Sequence, residues 1–194
     1  MLTLLKFDLF ASAFLRIIVP KNDLLNLVFS FFSLKGNSIF IWILVIAVVV
    51  FLEEKKHPGI NERDKKFIVV FLFSFLTAAL LTTFVLKDIF RRPRPFYRAD
   101  YSQFKLQPFV TNGCPKDFSF PSGHAATAFA AATVLVYFDK KRRRFYYIVA
   151  LLISYSRIYL GCHYFFDILG GAFFGFIISK IFIKLMLKLY GKRS

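Results

Sequence analysis

Cysteine, histidine and acidic residues are all scarce in this chain, and each shortage narrows the chemistry open to it. Cys114 and Cys162 are the only two cysteines in 194 residues, too few for a cysteine-based zinc framework. Of eleven Asp and Glu, only Asp88, Asp100, Asp117 and Asp167 fall near the polar motifs described below. A two-metal centre, which needs several converging carboxylates, is therefore not expected. The N-terminus lacks a short basic start followed by a small-residue cleavage site, so no cleavable leader is expected either. There is no repeat and no low-complexity segment.

What is abundant is apolar. The chain is 57% hydrophobic with 28 phenylalanines, and its charges cluster between apolar runs, the profile of an integral membrane protein. A net charge of +16 could suggest nucleic acid, but a nucleic-acid protein has no use for several apolar spans. The basic excess fits anchoring to anionic headgroups, with a share left for an anionic substrate. Runs at 38–52, 67–86, 125–138, 145–160 and 168–189 predict five crossings of an all-α bundle. Residues 1–35 differ: Asp8, Ser12 and Arg16 fall four apart, and Asp23, Asn26, Ser30 and Ser33 mark one face of a second helix. Two amphipathic interfacial helices are expected there, and a sixth crossing, which would bury Arg16, Lys21 and Asp23, is the alternative. The chain thus reads as one membrane domain, with 1–35 interfacial and 36–194 the catalytic core. Fifteen of the 27 Lys and Arg fall in 53–66, 139–144 and the tail from Lys180, which favours that side as cytoplasmic.

Three polar clusters then meet on the opposite face. In KDIFRRPRP, prolines 93 and 95 stop the helix near Phe90 and leave Arg94 on a stiff arm that can fold back toward Lys87. In FPSGHAA, Ser122 is a natural N-cap, Gly123 leaves room for close approach, and the helix start is an anion site beside His124. In SRIYLGCHYFFD, Gly161 offers a helix stop after Arg157, so that His163 begins the return with Asp167 on the same face. A carboxylate on one imidazole nitrogen frees the other to attack. Taken singly, the clusters also read as snorkelling cations, a capped helix start and a structural His–Asp pair. Jointly they suit phosphoryl transfer, whose transition state needs clamping from several directions.

Lys87, six residues, Arg94-Pro95; Pro121-Ser122-Gly123-His124; Ser156-Arg157, five residues, His163, three residues, Asp167: this set resembles the complete signature of the type-2 phosphatidic acid phosphatase superfamily. The resemblance implies His163 as nucleophile with Asp167 as its partner and His124 as general acid. It makes Lys87, Arg94, Ser122, Gly123 and Arg157 the phosphate cradle, with a phosphohistidine intermediate, no metal and no cofactor. Members usually have six spans, so an interfacial N-terminus departs from the family; the soluble vanadium haloperoxidase branch is excluded by the apolar spans. The implied partners are the bilayer and a phosphorylated membrane lipid: lipid A 1-phosphate, undecaprenyl diphosphate, phosphatidylglycerol phosphate or phosphatidic acid. Arg98, Lys105 and Lys116 between the first two motifs favour the more highly charged of these. The expected location is the inner membrane, with the site facing the periplasm. A lipid-to-lipid phosphotransferase and a non-catalytic lipid-phosphate binding or transport protein are the rivals. Cys114 and Cys162 fall on the site's side of the membrane, either as a disulfide or as two separate thiols.

Overall fold

The computed structural model describes residues 2–33, 37–54, 61–97 and 114–190. Every regular element among them is helical: α1 (Leu2–Ile17), α2 (Asp23–Ser33), α3 (Asn37–Glu54), α4 (Glu62–Leu80), α5 (Lys87–Phe90), α6 (Gly123–Phe138), α7 (Arg143–Tyr159) and α8 (Phe165–Tyr190). Each of the five apolar runs has its helix. α4 starts earlier than the apolar run alone suggests, because Asn61 caps it and forms a reciprocal capping box with Asp64. It continues through a π-helical stretch, Leu81–Leu86, into α5. Within that stretch Thr82 Oγ1 donates to the Ala78 carbonyl at 2.7 Å, a side-chain bond of the kind that loosens a regular helical ladder.

Two helices, Glu62–Phe90 and Phe165–Leu189, are long and apolar enough to cross a bilayer, and Asp23–Ser33, Ile39–Val49 and Gly123–Phe138 are shorter apolar helices. α6 is the axis of the bundle and packs on α4, α7 and α8. Its alanines 125, 126, 128, 130, 131 and 132 are buried, which brings neighbouring backbones close. The closest approach is to α8: a Cβ on Gly171 would lie 2.3 Å from the Ser122 carbonyl oxygen, and one on Gly175 would lie 2.1 Å from that of Ala126. Small residues at four-residue spacing are how helices pack without a hydrophobic driving force between them. The outside carries large apolar side chains, among them Leu72, Phe73, Leu76, Leu151, Phe173 and Leu185, a surface suited to lipid rather than water.

α1 and α2 are amphipathic as expected, but the polar face of α1 points inward, and that of α2 turns from an exposed Asp23 to a buried Ser33. Asp8, Ser12, Arg16 and Ser33 are buried, while Leu4, Phe7, Phe10, Phe14, Leu24, Leu27 and Phe31 are exposed. The reason is the neighbour: polar groups of these two helices meet polar groups at the end of α7 and the start of α8. Tyr155 donates to the Leu15 carbonyl at 2.6 Å, and Tyr159 donates to Asn26 Oδ1 at 2.9 Å.

Candidate active site

Three chain reversals deliver the site. α5 ends at Phe90 on Arg91, whose φ of 46° is left-handed, and the following prolines carry Arg94 back beneath the helix end. Arg94 is fully buried. Its guanidinium donates to the Asp117 carbonyl (2.7 Å), the Asp117 carboxylate (2.5 Å), the Phe118 carbonyl (3.2 Å) and the Cys162 carbonyl (2.8 Å). Lys87, on the last helical turn, reaches the other Asp117 oxygen at 2.5 Å. Burial alone would raise the Asp117 carboxyl, but hydrogen bonds and charge from Lys87 and Arg94 outweigh it and hold it below its ordinary value.

The second reversal starts α6. Ser122 is its N-cap, with Oγ accepting from Ala125 N at 3.5 Å, and Ser122 N donates to the Asp167 carbonyl at 2.9 Å, joining this helix start to α8. A Cβ on Gly123 would find only Thr82 Oγ1, at 3.5 Å. Packing therefore does not demand that glycine, and the backbone there has space beside it. His124 stands half-buried on the first turn.

The third reversal is the turn between α7 and α8, where Gly161 takes φ 75°. The Arg157 carbonyl accepts from Cys162 N at 2.9 Å and His163 N at 3.2 Å. This holds His163 in the turn, so the expectation that it lies on the returning helix is corrected: α8 begins at Phe165. The His–Asp pair forms nevertheless, with Nδ1 3.3 Å from Asp167 Oδ2. His163 Nε2 lies 3.1 Å from Arg94 Nη1. A guanidinium only donates, so Nε2 carries the lone pair and Nδ1 carries the proton. Burial, followed by Arg94, Arg157 and Lys87, pushes the imidazole well below its ordinary pKa and keeps it neutral.

Arg157 is fully buried beneath this turn. Nη1 donates to the Ser33 carbonyl at 2.6 Å and also to the Ser33 hydroxyl. Its Nε and Nη2 find no hydrogen-bond partner among the described residues. A buried guanidinium with two unused donors is costly unless an anion completes it. Among the described residues no three His, Cys, Asp or Glu side chains are grouped to hold a metal.

The profile of the PAP2 superfamily matches residues 67–190. The chain belongs to the PAP2 superfamily. It is 30% identical over 162 residues to the undecaprenyl-diphosphatase of Sulfolobus acidocaldarius, covering 83% of this chain and 70% of that one. It is 30% identical to the lipid A 1-phosphatase of Rhizobium etli, covering 69% of this chain and 60% of that one. Among solved structures, LpxE of Aquifex aeolicus aligns with a TM-score of 0.59 at 25% identity, covering 89% of this chain and 92% of that one. The PAP2-type phosphatidylglycerolphosphate phosphatase of Bacillus subtilis aligns with the same TM-score of 0.59 at 24% identity, over 96% and 87% of the two chains, a likeness of fold. PAP2 membership makes this an enzyme of the phosphatase class, with membrane lipid phosphatases as its relatives.

Sequence reasoning did not assign Arg92, which the structure pairs with Asp167; Asp8, which pairs with Arg92; or Ser33, which accepts from Arg157. The one available signal was the four-residue polar stripe that begins at Asp8. Arg98, Lys105 and Asp100 lie outside the described residues. Cys114 and Cys162 are disulfide-bonded, with Cα atoms 5.4 Å apart.

Proposed function

We propose that the protein removes a terminal phosphate from a lipid headgroup through a phosphohistidine on His163, with lipid A 1-phosphate and undecaprenyl diphosphate as the favoured substrates. The observation that carries this reading is the setting of His163, with Nδ1 3.3 Å from Asp167 Oδ2 and Nε2 3.1 Å from Arg94 Nη1, where burial and the charges of Arg94, Arg157 and Lys87 favour a neutral imidazole. The incoming phosphate takes the Arg94 and Lys87 charges now held by Asp117, together with the unused donors of Arg157. Ser122 and Gly123 supply the helix start. Nε2 attacks phosphorus while the bond to the lipid oxygen breaks, and His124 gives that oxygen its proton. Water then attacks phosphorus, His124 takes the water proton, and phosphate leaves as the N–P bond breaks. Asp167 holds the Nδ1 proton throughout, and no step uses a metal or a cofactor.

The topology that serves this chemistry has five crossings, α3, the helix continuing from α4 into α5, α6, α7 and α8, with α1 and α2 at the interface. The site end faces the non-cytoplasmic side, the periplasm in a bacterium, and the Cys114–Cys162 bridge supports that choice because disulfides persist in oxidising compartments. The test is phosphate release by purified protein from a panel of these lipids and from nitrophenyl phosphate. His163→Ala should abolish release from all of them. His124→Ala should reduce lipid turnover by ~10²-fold or more and be milder with nitrophenyl phosphate, whose leaving group needs less proton assistance. Near-normal release by the His163 variant, or the same leaving-group dependence in both variants, would overturn the roles. Transfer of phosphate to a second lipid in place of water would instead establish a phosphotransferase.

A further inference from the structure

α1 turns its only acidic side chain toward the start of α8. Asp8 is 1% exposed, and its Oδ1 accepts from Phe166 N at 2.8 Å. Ser12, one turn on, accepts from Phe165 N at 2.8 Å and donates to the Asp8 carbonyl at 2.6 Å. Two of the N–H groups that every helix start leaves without partners are thus capped from a different helix. A third, Tyr164 N, donates to Asp167 Oδ2 at 2.9 Å. The remaining Asp8 oxygen pairs with Arg92. The other arm of that guanidinium donates to Asp167 Oδ1 at 2.7 Å, and its plane lies 4.0 Å over the Tyr164 ring. The two Asp167 oxygens are therefore divided: Oδ1 on Arg92, Oδ2 on His163.

We infer that Asp8 is a positioning residue for the reaction: through Arg92 it holds the Asp167 carboxylate in register with the His163 imidazole. The inference rests on His163 being the nucleophile. As Nε2 bonds to phosphorus, positive charge grows on the ring, and the carboxylate at Nδ1 must stay both anionic and in line with it. Arg92 fixes the far oxygen of that carboxylate but also draws charge from it. A second carboxylate on the same guanidinium offsets this pull and leaves the cluster of Asp8, Arg92 and Asp167 with a net negative charge. Asp8 touches neither the phosphate nor the imidazole.

Asp8→Asn keeps an oxygen for Phe166 N and removes the charge, so it separates capping from positioning. With a lipid phosphate in detergent, kcat should fall about tenfold while KM stays within about twofold, in the range seen when an outer partner of a site ligand is lost. Asp8→Glu should recover part of the loss. Because Asp8 and Arg92 act as one unit, the Asp8→Asn/Arg92→Gln double variant should be no slower than Arg92→Gln alone. The ¹⁵N signals of His163 should report a proton on Nδ1 in the wild type and move toward tautomer exchange in Asp8→Asn. Should that variant not fold, Arg92→Lys, which keeps charge but cannot span two carboxylates, carries the same expectations. A folded variant with wild-type kcat and unmoved His163 signals overturns the inference, as do additive losses in the double variant. If the wild type releases no phosphate from any lipid, the catalytic reading fails. The His163 signals then decide the positioning role by themselves: movement supports it and no movement overturns it.

Discussion

At the scale of single residues, the site's main contrast is between a cation that is satisfied and one that is not. Arg94 has every arm engaged, largely by Asp117 and neighbouring carbonyls, whereas Arg157 keeps two donors unused among the described residues. Asp117 is 41% exposed at its side chain and bridges Lys87 and Arg94, so its carboxylate stands where a phosphate would make the same contacts. On the proposed mechanism, substrate displaces it. Asp117→Asn should therefore tighten binding, lowering KM by about three- to tenfold, a modest effect because the group is partly solvated. Inhibition by inorganic phosphate should strengthen in parallel. Steady-state kinetics with phosphate as inhibitor checks both; a raised KM would instead make Asp117 a support that orders Arg94.

Among elements, the α6–α8 contact decides whether the second and third motifs meet. Gly171 lets α8 approach until Ser122 N reaches the Asp167 carbonyl, and any Cβ there would collide with the Ser122 carbonyl oxygen at 2.3 Å. That neighbour is backbone and cannot swing aside. Gly171→Ala should lower thermal stability by a few degrees, as overpacking costs about 1–3 kcal/mol. Activity should fall further than stability predicts, because the displaced segment carries the helix start beside His124. Melting curves and kcat measured on one preparation would show this. A variant that melts early but turns over normally would mean that the two helix starts tolerate separation.

In the whole molecule, the disulfide joins the segment that carries Asp117 to the turn that carries His163, closing a sequence separation of 48 residues. By chain entropy, a loop of that size contributes about 4 kcal/mol. Cys114→Ser with Cys162→Ser, or treatment with dithiothreitol, should lower the melting temperature by roughly 5–15 °C. KM should rise as well, since the Asp117 segment loses its tether. Equal melting curves with and without reductant would remove the bridge from the stability argument. The same bridge belongs to a protein with many large apolar side chains on its surface and with the polar face of α1 turned inward, an arrangement that water would oppose and lipid permits.

Much of this was legible from residue order, because the signals are local. Five apolar runs locate α3, α4, α6, α7 and α8, Pro93 and Pro95 end α5, Ser122 opens α6, and Gly161 permits the reversal before His163; each acts within a few residues of itself. The spacings of Lys87, Arg94, His124, Arg157, His163 and Asp167 likewise named the residues that the structure gathers at one end of the bundle. Three things depended on the tertiary structure. His163 sits in the turn because two of the turn's N–H groups find the Arg157 carbonyl, a choice between helix and turn that spacing alone leaves open. Asp117 and Ser33 are distant in sequence from the cations they meet. The polar stripe of α1 looked like a water-facing surface until its neighbour was known; Asp8 faces inward because Arg92 and the start of α8 offer it charge and hydrogen bonds there. A pattern of polar and apolar positions states that a helix has two faces, and only the packing partner determines which of them is inside.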